Sequence, residues 1–458
     1  MRPIALAVVA CLASFASSVA AQTTRPASSG VAVATAAATR RIVRFRTAPA
    51  DAYIVDASAA GVDTRLRLST ADNGGRTAEL AYGVHELVLI AEGYRPARVT
   101  VDVVGTGLVV EAKLERAASV LRLVAVVPTD ARPKSVAYTP DGRRLVVAPL
   151  SGSRIDVLDA RTGALVATPA PPEPWAGYQG FVEIAFPYGR GECWVSQMYT
   201  DRIHVFSLED FSYLRTVRCG GVFPKVLLAH PDGRVFVSNW LSETVSALSP
   251  DGSVRLGSMR TTGTPRGVAL SLDGGTLYVA NFSGGTIEAF DASTYGKLEI
   301  PFGGEPGSSA GGAKRHLVVD AVKGRLYASD MGRGSVFAYD LTTGRTLAEI
   351  VVAPNAKTNT IAISPDGRWL YASTRGPNNA VDYERKGPAF GELIVIDTER
   401  LVIVERHWGG NQPTGLAVSP DGRDIVFTDF LDHRLEIYRR VDPLAPALEA
   451  RDRRGRLP

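Results

Sequence analysis

One short phrase recurs along the last two-thirds of this chain and constrains its fold more than any other feature. The phrase is an apolar run, a turn that ends in Asp-Gly and a second apolar run, as in Val268–Asn281 and Leu416–Asp429. Further copies begin at Val136, Leu227 and Ile361. Self-similarity at a spacing of about 40–50 residues is typical of propellers and solenoids, in which each repeat buries its apolar faces against its neighbours.

The pattern predicts seven repeats between Ser119 and about Arg440, each with an inner strand before the turn and three strands after it. The last repeat stops after a third strand, Leu435–Arg439, whereas an orphan strand, Val120–Val127, precedes the first repeat. Pairing these two strands would remove two exposed sheet edges. The sequence therefore predicts an all-β fold, a seven-bladed β-propeller in which the N-terminal strand completes the last blade. The repeats resemble the YVTN-type propellers, a group with lactonase-like members.

A second, smaller β unit is predicted at residues 41–117, where short runs alternate apolar and polar residues between Gly- and Asp-rich turns. The stretches Tyr82–Val101 and Val109–Leu114 resemble the PEGA domain, a small β-sandwich of bacterial envelope proteins. The motif that names that domain is degenerate here, at Ala48–Ala52. The resemblance implies a β-sandwich in front of the propeller.

The N-terminus has the features of a secretory signal peptide: Arg2, the apolar run Ile4–Ala16 and small residues up to Ala21. We expect cleavage near Ala21, although Cys11 leaves a lipidation site open as an alternative. Residues 22–40 are predicted to be a flexible linker and residues 441–458 a basic flexible tail. The expected protein is periplasmic or cell-surface associated in a bacterium, without a transmembrane segment.

Two cysteines remain after processing, Cys193 and Cys219, and the repeat places them at opposite ends of different strands in one blade. The sequence therefore predicts two free, buried thiols. The formal net charge of +4 on 458 residues does not call for a nucleic-acid or membrane-surface partner. We expect a monomer.

Aligning the repeats identifies the residues that meet at one mouth of a central funnel. The inner strands begin at Lys134, Val182, Lys225, Arg266, Arg315, Asn359 and Thr414. The second strands end at Pro149, Gln197, Asn239, Asn281, Asp330, Thr374 and Asp429. We expect an anionic or polyhydroxylated ligand to bind the polar members of both rings together with Arg375, since Lys and Arg pair with anions and amides hydrogen-bond. The alternative is that they are ordinary solvated strand ends, with Asp330 and Asp429 neutralising the cations.

Three long connections are expected at the same face, because functional loops often project from a rigid scaffold. They are residues Pro169–Tyr178, Pro301–Gly312 and Arg375–Phe390. Aromatic side chains there and at the strand ends, which either stack on a ligand or pack between blades, are Trp175, Tyr178, Trp240, Phe282 and Phe430.

Catalytic and metal-binding signatures are scarce. The six histidines lack metal-ligand spacing, and no Cys-x-x-Cys-His motif is present. The sequence therefore predicts neither a metal nor a cofactor. His316 is a candidate general base and Arg315 a candidate oxyanion stabiliser, but a histidine beside an arginine is also an ordinary hydrogen-bonding residue.

The sequence favours a non-enzymatic envelope protein that binds a small anionic or glycan ligand, or a protein partner, at the funnel. The alternative, implied by the lactonase-like resemblance, is a hydrolase of a sugar-acid lactone. Export argues against that alternative, because a sugar-phosphate lactonase belongs in the cytoplasm.

Overall fold

The computed structural model describes residues 40–441 except 51, 57–65, 67, 71–74, 92–93, 95–96, 115–118, 304–311 and 354–355. The expected signal peptide and Cys11, nearly all of the linker and the tail beyond Val441 lie outside the described residues. Those that are described form strands, turns and loops, with no helix among them. In this part of the chain no helix is long and apolar enough to span a membrane.

Residues 40–114, as far as they are described, form two sheets around one apolar core. One sheet has the order β3-β4-β1-β7 and the other β2-β5-β6. Val43, Phe45, Ile54, Leu87 and Val103 lie at the centre of the core. The strands are β1 (Arg40–Ala48), β2 (Tyr53–Asp56), β3 (Ser69–Thr70), β4 (Arg76–Ala81), β5 (Gly83–Ile90), β6 (Ala97–Val103) and β7 (Val109–Lys113).

Strand β4 is absent from the sequence prediction. Apolar and polar residues alternate only weakly along Arg76–Ala81, where the buried positions are Leu80 and the small Ala78. Because a single leucine supplies most of its apolar surface, the period-2 pattern is faint. The resemblance of this unit to the PEGA domain stays a prediction.

Seven four-stranded sheets, which we call blades 1 to 7, follow. Each inner strand contacts the inner strand of the next blade, and the last contacts the first, so the sheets form a closed β-propeller. Blades 1 to 3 consist of β9 (Pro133–Tyr138), β10 (Arg144–Pro149), β11 (Asp156–Asp159) and β12 (Leu165–Ala167); β13 (Phe181–Ala185), β14 (Glu192–Gln197), β15 (Arg202–Ser207) and β16 (Tyr213–Arg218); and β17 (Pro224–Ala229), β18 (Val235–Asn239), β19 (Thr244–Leu248) and β20 (Arg255–Arg260).

Blades 4 to 7 repeat this order. They consist of β21 (Pro265–Leu270), β22 (Thr276–Asn281), β23 (Ile287–Asp291) and β24 (Lys297–Leu298); β25 (Lys314–Asp320), β26 (Arg325–Asp330), β27 (Ser335–Asp340) and β28 (Thr346–Val351); β29 (Thr358–Ile363), β30 (Trp369–Thr374), β31 (Glu392–Asp397) and β32 (Val402–Trp408); and β33 (Pro413–Val418), β34 (Asp424–Asp429), β35 (Arg434–Arg440) and β8 (Leu121–Pro128).

Strand β8 is the orphan strand that precedes the first blade in sequence. It pairs antiparallel with β35, from Pro128 opposite Arg434 to Leu121 opposite Arg440. Blade 7 therefore contains strands from both ends of the propeller sequence. The pairing covers the edge of β35, which would otherwise be exposed.

The Asp-Gly turn of the repeated phrase has one hydrogen-bonding pattern. In blade 7, the Ser419 hydroxyl donates to Asp421 Oδ1 at 2.6 Å and accepts the Asp424 N–H at 2.9 Å. Gly422 follows with φ of 71°, in the left-handed region that glycine adopts without steric cost. The same Ser/Thr-to-Asp bond at 2.6 Å occurs in blades 1, 4 and 6. The phrase is conserved between blades because it encodes this turn.

A second repeated interaction joins neighbouring blades. The hydroxyl one residue before the end of the second strand donates to the backbone carbonyl of the first funnel residue in the next blade. We call these the inter-blade hydroxyls: Ser196 to Lys225 (2.8 Å), Ser238 to Arg266 (3.0 Å), Ser329 to Asn359 (2.5 Å) and Ser373 to Thr414 (3.2 Å). Each also accepts a backbone N–H from its own inner strand, as Ser238 does from Val226 at 3.0 Å. Every one is fully buried.

The two cysteines are free and buried, as predicted. Burial raises the pKa of the Cys193 thiol far above its usual value and that of Cys219 to about 11. Both therefore stay protonated and unreactive at neutral pH.

We predict that Ser238→Ala lowers the free energy of unfolding by about 2 kcal/mol, because it leaves the Val226 N–H and the Arg266 carbonyl without a partner in a buried site. Urea unfolding followed by circular dichroism measures the change. The control is Ser253→Ala, which removes an exposed turn hydroxyl and should change stability by less than about 0.5 kcal/mol. Equal effects of the two substitutions would show that the inter-blade bond does not stabilise the propeller.

Candidate functional site

The aligned inner-strand positions occupy one structural register. In all seven blades the residue immediately before the aligned position pairs with the last residue of the second strand, for example Pro224 with Asn239 and Lys314 with Asp330. The register then shifts at the aligned residue, which marks a β-bulge in each case. A bulge re-aims side chains. Here the bulges of blades 1, 3, 4 and 5 hold the aligned cations, and those of blades 2 and 5 hold Glu183 and His316, close enough to interact electrostatically.

Five cationic side chains meet at the mouth of the funnel. They are Lys134, Lys225, Arg266, Arg315 and Arg375. Burial lowers the pKa of Lys134 well below its usual value, and the positive charges of Arg315, Arg375, Lys225 and Arg266 lower it further. Burial followed by Arg266 and Arg315 lowers the pKa of Lys225 in the same way. These mutual repulsions show that the predicted cations converge.

Arginine remains charged in this environment, because its ordinary pKa is above 12. Burial lowers the pKa of Arg375 to about 10 and that of Arg315 well below its usual value. Among the funnel cations, three guanidinium N–H groups are buried and have no hydrogen-bond acceptor in the described part of the chain: Nη1 of Arg266, which is 3.7 Å from Glu183, Nε of Arg315 and Nε of Arg375.

Glu183 is a funnel residue that the sequence alignment misses. It follows Val182 at the bulge of blade 2, and its Oε2 lies 3.7 Å from Arg266 Nη1. Burial raises the pKa of Glu183, although Arg266, Arg315 and Lys134 all oppose the rise. A carboxylate directly after an aligned position is the signal that would have identified it, had the bulge been anticipated.

The second predicted ring does not lie on the funnel surface. The structure buries all of its polar members completely and bonds them inside their own blades. Gln197 bonds to the Tyr178 carbonyl and His204, Asn239 to Ser246, Asn281 to Glu288, Asp330 to Lys314 at 2.7 Å, and Asp429 to Arg434 at 2.8 Å. Asn359 is also buried and donates to the Pro413 carbonyl at 3.1 Å. The two aspartates therefore pair with Lys314 and Arg434 and not with the funnel cations.

The residue directly after each second strand forms a further ring, which we call the collar. Its members are Leu150, Met198, Trp240, Phe282, Met331, Arg375 and Phe430. Several lie against the cations: Lys225 Nζ is 5.4 Å from the centre of the Trp240 ring, and Lys134 Nζ is 4.9 Å from that of Phe430. Trp240 and Phe282 are half-buried and their rings are 5.1 Å apart.

The loop Arg375–Phe390, which we call the strap, connects two strands of blade 6. It contacts blade 7 and the residue directly before blade 1. Lys386 pairs with Asp432 of blade 7 at 2.6 Å, and Glu384 pairs with Arg132 directly before blade 1. Gln412 donates to the Tyr383 carbonyl at 2.7 Å, while Arg375 donates to the Gln412 side chain. The guanidinium of Arg375 also lies 5.7 Å from the Tyr383 ring centre.

The other two predicted loops contribute less. Trp175 packs near His204, and the Arg202 guanidinium lies 4.9 Å from the centre of the Trp175 ring. Tyr178 is exposed. Most of the loop Pro301–Gly312 lies outside the described residues. An open cavity of about 650 Å³ at the other end of the inner strands, lined by Tyr138, Phe186 and Tyr188 among others, contains none of the predicted site residues.

His316 lies at the bulge of blade 5, beside Arg315. Burial and the charges of Arg266 and Arg315 lower its pKa to about 3, and its Nδ1 is buried without a hydrogen-bond partner. The imidazole is thus neutral but very weakly basic. General bases work best with a pKa near the working pH, so this geometry disfavours His316 as a base. No cluster of three or more potential metal-ligating residues occurs within the described ranges.

Comparisons with known proteins agree with the fold. No protein-family model matches the chain. The fold is similar to that of a chain of hydrazine synthase from Kuenenia stuttgartiensis, with a TM-score of 0.58 and 17% sequence identity over 69% of this chain and 97% of that chain. At this identity the likeness concerns the fold alone, and the assignment to YVTN-type propellers stays a prediction.

A curated relative is much more similar in sequence. It is antigen Lp49 of Leptospira interrogans serogroup Icterohaemorrhagiae serovar copenhageni, strain Fiocruz L1-130, which is 38% identical over 328 residues. The match covers 70% of this chain and 70% of the relative. Identity at this level over most of both chains establishes common ancestry, and the chain therefore belongs to the same family as antigen Lp49.

Proposed function

We propose that this protein is an exported, non-enzymatic envelope protein whose propeller binds a small anion at the cationic mouth of its funnel. The observation that carries the proposal is the charge imbalance there. Among the described residues, five basic side chains face one carboxylate, that of Glu183. A buried charge is costly unless it is paired and hydrogen-bonded, and a bound anion would supply both the charge and the missing acceptors.

The hydrogen-bonding state of the arginines supports this reading. An Arg side chain carries five N–H donors in a planar fork that matches carboxylate and phosphate oxygens. The buried Arg266, Arg315 and Arg375 each keep an N–H group without an acceptor in the described structure. Internal neutralisation is weak, because Asp330 and Asp429 form their ion pairs with Lys314 and Arg434.

A binding role is favoured over hydrolysis because the candidate base is unsuitable. With a pKa of about 3, His316 would accept a proton poorly at neutral pH. The residues that suggested a lactone hydrolase, His316 and Arg315, thus include no suitable general base. The charge imbalance requires only an anion.

We predict that sulfate binds to the purified protein and that Arg315→Ala weakens this binding at least about tenfold, because the substitution removes a buried charged donor. Isothermal titration calorimetry at low ionic strength measures the affinity, which should fall as salt is added. The control, Arg161→Ala, removes one positive charge from an exposed turn at the other end of the blades. If both variants bind sulfate as tightly as the wild type, the funnel is not the anion site.

We also predict that sulfate affinity falls as pH rises from neutrality toward the ordinary lysine pKa of about 10.5. In the free protein the pKa values of Lys134 and Lys225 are lowered by burial and by neighbouring cations, and a bound anion would raise them. Anion binding is therefore accompanied by proton uptake by the protein. This uptake becomes less favourable as pH rises, so the affinity falls. Anion binding would also raise the pKa of Glu183, so its contribution has the same sign. Sulfate keeps a constant charge across this range.

The matched variant for the pH test is Lys225→Arg, which keeps the charge but does not deprotonate. It should show a shallower pH dependence and a smaller proton uptake, measured by calorimetry in buffers of different ionisation enthalpy. Equal pH profiles for wild type and variant would remove Lys225 from the site.

The export part of the proposal rests on the apolar N-terminal segment and on the family relationship. The relative is named an antigen, which supports a location that antibodies reach. We predict that the mature protein from its native cells begins near Gln22. N-terminal sequencing of the envelope fraction measures this, and an intact Met1 on protein found only in the cytoplasm would contradict export.

A further inference from the structure

The apolar side chains of the collar restrict the chemistry of the ligand further than the charges alone do. Six of its seven positions hold large apolar side chains, and the seventh is Arg375, where the strap begins. The residues just before them in sequence are mostly polar and point into the blades. The apolar character therefore occurs specifically on the ring beside the cations.

The collar and the cations are in direct contact. Lys225 Nζ donates to Met198 Sδ at 2.9 Å and lies 5.4 Å from the centre of the Trp240 ring. Phe223 approaches the same ammonium at 4.3 Å, and Phe430 lies 4.9 Å from the Lys134 ammonium. A group bound to these cations would touch aromatic surface.

Part of this apolar surface is still open. Trp240, Phe282 and Met331 are each half-buried, whereas Phe430 is fully buried. Covering exposed apolar area stabilises a complex by about 25 cal/mol per Å². A small inorganic anion would leave this surface unused.

We infer that the funnel ligand is an organic anion with an apolar group, whose anionic end lies on the cations and whose apolar end lies against Trp240 and Phe282. The inference rests on the proposed anion-binding function. It narrows the ligand to amphiphilic anions and assigns Trp240 to specificity.

Two phosphate monoesters with the same charge test the inference: methyl phosphate and phenyl phosphate. Calorimetry with the full mature chain should show phenyl phosphate binding at least about tenfold more tightly. Trp240→Ala should reduce this preference to less than about threefold with little effect on methyl phosphate. Arg266→Ala should weaken both esters alike.

The control is Trp408→Ala, which removes an exposed tryptophan of an outer strand and should change neither affinity. Phe282→Leu, which retains apolar volume, provides a second variant should Trp240→Ala fail to fold, and should lower the preference partially. Equal binding of the two esters to the wild type would overturn the inference and leave anion binding intact. Absence of binding by both esters and by sulfate would overturn the proposed function itself.

Discussion

The funnel depends on the hydrogen bonds of the inter-blade hydroxyls. Each hydroxyl accepts an N–H from the bulge of its own inner strand and donates to the carbonyl of the first funnel residue in the next blade. Ser238, for example, accepts the Val226 N–H and donates to the Arg266 carbonyl. One small side chain thereby holds two backbone segments from different blades. With the carbonyl of Arg266 held against the neighbouring blade, its side chain is left to enter the funnel. The same kind of bond that joins the blades thus also positions two of the cations, Lys225 and Arg266.

This arrangement explains how the protein maintains a concentration of like charge. Repulsion among Lys134, Arg266 and Arg315 favours separation of their strands, and burial raises the cost of each charge. The backbone of these residues is held by the closed ring of blades and, at Arg266, also by an inter-blade hydroxyl, so the charges cannot move apart. A rigid scaffold that keeps unpaired charges in place is pre-organised for an ion of opposite sign, because little reorganisation accompanies binding.

Much of the fold was predictable from the repeated phrase. The Asp-Gly turn needs a hydroxyl and a glycine at fixed positions, and apolar runs on either side predict two strands. The inner-strand cations were also found, because aligned repeats place equivalent residues on one axis. The side-chain direction at the end of the second strand was not predictable in this way. Asn239 and Asp429 end their strands at the funnel mouth, yet they point into the blades, and the next residues, Trp240 and Phe430, lie beside the cations.

The same one-residue uncertainty explains why Glu183 was missed. A regular strand alternates its side chains between two faces, so an aligned position on the funnel predicts that the following residue faces away. The bulge breaks this alternation and turns Glu183 and His316 toward the same cations. Bulges depend on the pairing register between strands, which a single sequence reveals only through its alternation pattern. Where a bulge interrupts that pattern, the backbone geometry is needed to identify the side chains that line the site.

The distribution of charge within the funnel is uneven, and this has a consequence for where an anion would be held. Glu183 of blade 2 lies 3.7 Å from Arg266 and offsets part of its charge. Arg315 and Arg375, in blades 5 and 6, have no carboxylate this close among the described residues, and Arg375 instead bonds to the amide of Gln412. In the proposed site, the described guanidinium groups that would attract an anion without an opposing carboxylate this close are therefore Arg315 and Arg375. The strap starts at Arg375, so the longest loop of the propeller begins at one of these groups.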